Sequence, residues 1–337
     1  MVTTTDPSCA TTRRIIVLGT GGTIAGRASA PGDNIGYTAA EVDVSDLLQG
    51  IDAPPGVTLF AEQVAQLDSK DMGFAVWQAL AQRCSHWLVQ ADVAGIVITH
   101  GTDTLEETAY FLQAVLAPAK PVVLTCAMRP ATALAPDGPQ NVRDAICLAA
   151  TAGARGVTAL CAGTVHSALD VQKVHTYRLD AFASGDAGPV GYMEEGTLRA
   201  LRDWPSTPQE QAGAAGALAA VIAQDPTRWP RVEIVTSHAG AGGGLVDALL
   251  RERATGEARA VQGVVLAATG NGTLHEALEA AASRAEAAGV AVLRATRCTQ
   301  GRILPTPHAN LRDAGALSPV KARIALMLEL LVQAAPR

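Results

Sequence analysis

The sequence has 337 residues, 48% hydrophobic and 17% charged, with a formal net charge of −6 at neutral pH. That length exceeds one ordinary core and suits two, at about 150 residues per domain. No apolar run approaches the ~20 residues of a membrane span, and a negative chain without a basic stripe lacks the clustered Lys and Arg that nucleic acid demands.

Residues 1–12 show neither the cationic start nor the apolar stretch of a secretory signal, which predicts a cytoplasmic protein. The segments 14–18, 95–99, 121–125 and 157–160 are short unalternating apolar runs, the pattern of strands covered on both faces. Helical stretches at 73–88, 105–116 and 141–151 alternate with them, as a doubly wound α/β sheet requires. From about 202 to 230 the composition turns to Pro, Ala, Gln and Gly, which predicts a connection rather than a packed element. Beyond it, 231–235, 263–267 and 290–293 predict three more strands, with helices at 244–255, 274–287 and 319–334. Ser318 is placed to cap the last helix and Pro319 to open it. The expected architecture is α/β in two domains: a larger N-terminal doubly wound parallel sheet over 1–205, a linker at 206–230 and a smaller C-terminal α/β domain over 231–337.

Two threonine-glycine segments each follow a strand: one at 19–26 with Gly19, Gly21, Gly22, Thr23 and Gly26, the other at 99–104 with Thr99, His100, Gly101, Thr102, Asp103 and Thr104. Ligands of open α/β sheets bind at the carboxyl ends of strands, so both segments bring hydroxyls to the edge where chemistry is done. The first is not a dinucleotide loop, since Ile24 stands where the third glycine belongs, and no Gly-Lys-Ser/Thr triplet marks a phosphate loop. Thr23 reads equally as a helix cap or as a hydroxyl facing the crevice. In the second segment Asp103 or Thr104 can cap the helix at 105, but a cap needs one side chain and leaves the other polar groups of the run unexplained.

Lysine occurs only at 70, 120, 173 and 321, against 22 arginines. Lys173, near a run of polar residues, can lose its proton when desolvated and activate a neighbouring hydroxyl, or it can be a solvated surface lysine. The histidines at 86, 166, 175, 238, 275 and 308 are dispersed without metal-ligand spacing, and His100 follows a strand. The six cysteines form no Cys-x-x-Cys pair and suggest neither zinc nor a disulfide framework. Without a Gly-x-Ser-x-Gly elbow or a cysteine with a histidine companion, threonine is the best nucleophile candidate.

The segments 21–26 and 98–109, together with 68–72, 127–130, 137–139, 270–272 and 319–323, resemble in order the signature segments of bacterial-type L-asparaginases. The resemblance spans nearly the whole chain. It implies an amidohydrolase that converts asparagine to aspartate and ammonia through a threonine acyl-enzyme, without metal or cofactor and with glutamine as a slow second substrate. It implies Thr23 as nucleophile assisted by Tyr37 on the following loop, and Thr102, Asp103 and Lys173 as a hydroxyl-activating group. Ser69 and Asp103 would hold the substrate's α-carboxylate and α-ammonium, and Gly22, Gly101 and Ala127 border the loops that supply amides. The family pattern also implies a homotetramer built from tight dimers, Asn271 reaching a neighbouring site. Two features depart from the pattern: Lys70 stands beside Ser69, and the segment 304–315 has no glutamate, Asp313 being its only acid. A non-catalytic amino-acid sensor or scaffold using the same pocket is the alternative from another class. Relatives acting on transfer-RNA-linked amides are disfavoured by the negative charge and the lack of an added RNA-facing domain.

Overall fold

The computed structural model describes residues 12–30, 32–205, 208–256, 259–306 and 310–335. The reading of the first eleven residues, Cys9 and His308 lie outside the described residues. Two compact units are formed. The first comprises residues through Ala109, Pro118–Ala183 and Pro189–Ser206, and the second comprises Tyr110–Ala117, Ser184–Gly188 and the chain from Thr207 onward.

The first unit is built on β1 (Arg13–Gly21), β2 (Val57–Leu67), β3 (Val93–Thr99), β4 (Pro121–Thr125), β5 (Gly156–Cys161), β6 (Thr164–Ser167), β7 (Gly191–Glu194) and β8 (Thr197–Ala200). They form one eight-stranded sheet in the order β8-β7-β6-β5-β4-β3-β1-β2. The five strands from β2 to β5 along that order run parallel. β6, β7 and β8 extend the expected parallel sheet at one end by antiparallel pairs. β1, β3, β4 and β5 are almost wholly buried, because Val, Ile and Leu on both faces of a central parallel strand are covered from both sides. Ile15, Val17, Val97, Val123 and Leu160 join Val142, Ile146 and Leu148 in one core. The last three come from α3 (Gly138–Ala150); α1 (Phe74–Leu88) and α2 (Leu105–Leu116) are the crossovers that precede and follow β3.

Register fixes the site. Gly19 lies opposite Thr99, Thr99 opposite Thr125, and Thr125 opposite Leu160. The carboxyl ends of β1, β3, β4 and β5 therefore finish level, and the loops that follow them share one sheet edge. Thr20 ties two of these ends together by donating from Oγ1 to the Thr99 carbonyl at 2.9 Å.

The second unit carries β9 (Val232–Thr236), β10 (Gly263–Ala268) and β11 (Ala291–Thr296) in a parallel three-stranded sheet. α5 (Gly244–Ala254) packs against α6 (Glu276–Ala287), whereas α7 (Pro319–Gln333) packs on all three strands. Residues 208–223, within the segment expected to be a connection, instead form α4 (Pro208–Ala223), which lies on α7 and buries Ala214, Ala217, Ala220 and Val221. Alanine is the strongest helix former and needs no larger side chain to pack a helix closely on another. Ser318 stands at the N-cap of α7, yet its hydroxyl makes no capping bond. Pro319 at the first position lacks only the N–H that would be left unsatisfied there in any case.

Candidate active site

After β1 the chain turns through Gly22 into a single 3-10 turn, Thr23–Ala25. Thr23 is its first residue and Gly22 its cap, so the Thr23 hydroxyl does not cap the turn. The hydroxyl instead hydrogen-bonds the Tyr37 phenol, Oγ1 to Oη 2.6 Å. Tyr37 arrives by a hairpin in which Arg27–Ala28 pairs antiparallel with Tyr37–Thr38, with Ala28 opposite Tyr37. The hairpin is anchored by Ala28 N–H donating to Thr132 Oγ1 (2.8 Å) and by Ala131 N–H donating to the Gly26 carbonyl (3.0 Å).

The loop after β3 is pressed against the Gly22 turn. A β-carbon on Gly22 would stand 2.3 Å from Gly101 Cα, and one on Gly101 would stand 2.4 Å from Ser69 Oγ. A β-carbon on Gly22 would strike the Gly101 backbone and one on Gly101 the Ser69 side chain, so glycine at both positions lets the three segments meet. Beyond Gly101, Thr102 Oγ1 accepts from Lys173 Nζ at 2.8 Å, and Lys173 Nζ also donates to Asp103 Oδ1 at 2.6 Å. The Lys173 backbone N–H is in turn held by Glu106 Oε2 at 3.2 Å, in the first turn of α2. Ser69 Oγ accepts from the Asp103 N–H (3.2 Å), and the Thr104 hydroxyl donates to the Ser69 carbonyl (2.8 Å). Asp103 and Thr104 are thus engaged with the site rather than serving only as helix caps. Thr23, Ser69 and Thr102 are buried, whereas the Asp103 side chain is 53% exposed.

His100 follows β3 into this edge, and its ring is fully buried beneath it. Nδ1 contacts the Gly101 carbonyl at 2.7 Å and must carry the proton, because a carbonyl only accepts. Nε2 then accepts from Thr108 Oγ1 at 2.9 Å, and Thr108 accepts from Trp77 Nε1–H at 2.9 Å. Burial pushes the imidazole pKa down to about 4, against the opposing pull of the Gly101 carbonyl, so the ring is neutral at physiological pH and pins the Gly101 carbonyl.

Among the amides expected to face a developing oxyanion, Gly22 is corrected: its N–H donates to the Leu67 carbonyl at 2.9 Å. The N–H groups of Thr23, Gly101 and Ala127 have no partner among the described residues, and the Thr23 amide takes the place assigned to Gly22. Ala127 is held from both sides. Asn141 donates to the Cys126 carbonyl (2.8 Å), and the Asp137 carboxylate accepts from Met128 and Arg129 N–H (2.9 and 3.0 Å).

Lys70 is exposed and turned to Asp71 and Asp68, at 2.6 and 3.3 Å. Asn271 lies in the second unit, where its carboxamide bridges both backbone groups of Leu304. Asp313 there accepts from its own loop, at Gly315 N–H.

The arrangement offers a hydroxyl paired with a phenol, a second hydroxyl paired with a lysine, a carboxylate and unpaired amides, which suits acyl transfer from an amide. Residues 14–206 match the asparaginase N-terminal family and residues 231–336 the glutaminase/asparaginase C-terminal domain. The chain is 33% identical over 329 residues to the L-asparaginase 2 of Bacillus subtilis (strain 168), covering 94% of this chain and 82% of that protein. It is 35% identical over 331 residues to the L-asparaginase 2 of Escherichia coli (strain K12), covering 94% and 88%. The crystal structure of a probable cytoplasmic L-asparaginase from Campylobacter jejuni matches it with a TM-score of 0.83 at 32% identity, over 94% of this chain and 95% of that one. Over both domains and in its sheet-edge loops, the chain belongs to the asparaginase family.

Proposed function

We propose that this protein hydrolyses the side-chain amide of L-asparagine to L-aspartate and ammonia through a threonine acyl-enzyme. The observation that carries the reading is the pair of hydroxyls on touching loops, Thr23 bonded to Tyr37 and Thr102 bonded to Lys173.

Thr23 Oγ1 attacks the amide carbon. Its proton passes to Tyr37 as the phenol hands its own to the departing nitrogen, so the relay leaves no net charge on Tyr37. Thr102 accepts from Lys173 and donates to Asp103 Oδ1 at 3.5 Å, which leaves a lone pair on its oxygen to accept an N–H of the departing amide nitrogen and orient it toward Tyr37. The amides of Thr23 and Ala127 face the oxyanion. Water then attacks the ester and the relay runs in reverse. Ser69, whose oxygen accepts from Asp103 N–H, keeps its hydrogen for the α-carboxylate. Asp103 meets Lys173 through Oδ1, and Oδ2 is left for the α-ammonium. Glutamine, one methylene longer, is a slower substrate, since a methylene changes discrimination by only about 1–3 kcal/mol.

Two further parts of the reading are a cytoplasmic enzyme, supported by the likeness to the probable cytoplasmic L-asparaginase of Campylobacter jejuni, and a homotetramer in which the partner subunit's Asn271 completes each site, supported by the family resemblance. Activity per subunit should then fall on dilution through dissociation; constant activity in the monomer removes the partner's role. Thr23→Ala should lower ammonia release by at least ~10³-fold with the fold intact. Substantial turnover in that variant removes Thr23 from the mechanism, and stoichiometric asparagine binding by the native protein without ammonia release would make it a sensor instead.

A further inference from the structure

Cys126 and Cys161 stand at the ends of β4 and β5, and the hydrolytic reading uses neither. The strands are parallel neighbours with Thr125 opposite Leu160. The next residue of each chain is therefore set across from its counterpart, and the two Sγ atoms lie 3.0 Å apart, unbonded. Both side chains are buried, at 1% and 4% exposure. A single carboxamide fixes this juxtaposition: Asn141 donates to the Cys126 carbonyl (2.8 Å) and accepts from the Ala162 N–H (3.0 Å), clamping the residue at or just beyond each cysteine. Contact with Cys161 and burial hold the Cys126 thiol protonated, while the charge of Lys173 acts on it in the opposite direction, so the sulfur lies within the field of the catalytic group.

We propose that Cys126 and Cys161 are a modification site, a dithiol that peroxide converts to a disulfide beneath the active-site loop, lowering the hydrolytic rate. One sulfur takes an oxygen from the peroxide, releasing water and becoming a sulfenic acid. The other thiol then attacks it, forming the S–S bond and expelling a second water. The two sulfurs lose two electrons, which the peroxide takes up. Neighbouring strands run about 4.8 Å apart, within the Cα separations of about 4.4–6.8 Å that disulfides span, so the bond is feasible. Closing to about 2.05 Å moves the sulfurs together by about 1 Å. Ala127 follows Cys126 directly, and its peptide is held by Asn141 at the Cys126 carbonyl and by the ties of Met128 and Arg129 to Asp137, so a shift of Cys126 strains these holds and tilts the Ala127 amide. The amide takes only a share of that closure, and a misplacement of as much as about 1 Å costs up to about 10²-fold in positioned chemistry.

The effect on rate rests on the hydrolytic reading, but the linkage is read by mass. Reduced protein is treated with hydrogen peroxide, blocked with N-ethylmaleimide, digested and mapped, which separates this pair from exposed Cys298. The expected result is a cross-linked peptide pair joining Cys126 and Cys161, formed in step with a fall in kcat/KM of roughly ten- to a hundredfold and reversed by dithiothreitol. Bound aspartate slows the linkage. Cys161→Ala keeps its basal activity and shows no reversible loss. Should that variant not fold, the native peptide map still decides. Peroxide inactivation with both thiols intact overturns the proposal, as does a cross-link that leaves activity unchanged. Absence of ammonia release from the reduced protein would instead strike at the hydrolytic reading.

Discussion

Gly22→Ala is a one-carbon change whose consequence can be worked from the structure. Gly22 has φ 81° and ψ −172°, a region that essentially only glycine occupies and that costs another residue about 1–3 kcal/mol. The added carbon would also stand 2.3 Å from Gly101 Cα and 2.4 Å from Gly101 N, where ordinary contact begins at 3.4 Å. These neighbours are backbone and cannot swing aside, so the loops carrying Thr23 and Thr102 must part by about 1 Å. Separating groups that act on one carbon by that distance predicts a loss of about 10²-fold in kcat/KM, or ~2.7 kcal/mol of transition-state stabilisation. Coupled ammonia release on asparagine measures the loss, and thermal unfolding measures the strain. Gly244→Ala, at a helix start where a β-carbon meets nothing within 4 Å, is the control and should leave kcat/KM unchanged without lowering the Tm. Near-native kcat/KM with an unchanged Tm in Gly22→Ala would refute the claim that loop contact sets the geometry.

Tyr37→Phe removes the 2.6 Å bond to Thr23 and should lower kcat by about 10²–10⁴-fold; an unchanged kcat assigns the proton relay elsewhere. His100 is neutral when folded, with its pKa lowered from 6.5 to about 4, so the unfolded chain binds the extra proton between these values. Its contribution to stability is constant above pH 6.5, falls by about 3 kcal/mol as pH drops to 4, and is level below that. The difference between the urea-unfolding curves of native protein and His100→Asn across that range should show this slope, and a flat difference contradicts the buried neutral imidazole. Lys70→Ala should leave KM for asparagine within about twofold, because the ammonium is exposed and faces Asp71 and Asp68; a large fall in KM would mean that its charge reaches the substrate.

Much of this was legible in the chain because the buried strands are Val- and Ile-rich and their polar residues come at their ends. The strand at 121–125 can be read to the residue, and the threonines after β1 and β3 fall where the sheet delivers them. β2 is different: Glu62, Gln63 and Gln66 interrupt its apolar pattern, because an edge strand can keep polar groups. Glu62 meets Arg83 and Trp87 there. Missing β2 has a direct cost at the site, since the Leu67 carbonyl at its end takes the Gly22 N–H that would otherwise count as an oxyanion donor. The misreading of 208–223 has another cause: alanine, glycine and glutamine make a flexible linker or a closely packed helix according to what lies beside them. Lys173 was singled out by scarcity of lysine, but its partners lie 71 and 70 residues away and only the fold brings them together.

The site's rigidity comes from glycine backbone packed closely on its neighbours, with no long side chain in the contact. Gly22 touches Gly101, and Gly101 touches Ser69, each without room for a β-carbon. Beneath them His100 pins the Gly101 carbonyl through a ring held by Thr108 and Trp77, and above them Thr104 fixes the Ser69 carbonyl. A stack of this kind has almost no rotamer freedom to lose on binding substrate, so interaction with the amide need not be offset by ordering the protein. The mobile degrees of freedom are left to the side chains that must move protons or meet charge, namely Tyr37 on its hairpin and the half-exposed Asp103. It follows that substitutions in the glycine stack should depress kcat/KM by displacing reacting groups, whereas substitutions on the hairpin should act on proton transfer and leave the Thr23 to Thr102 geometry intact.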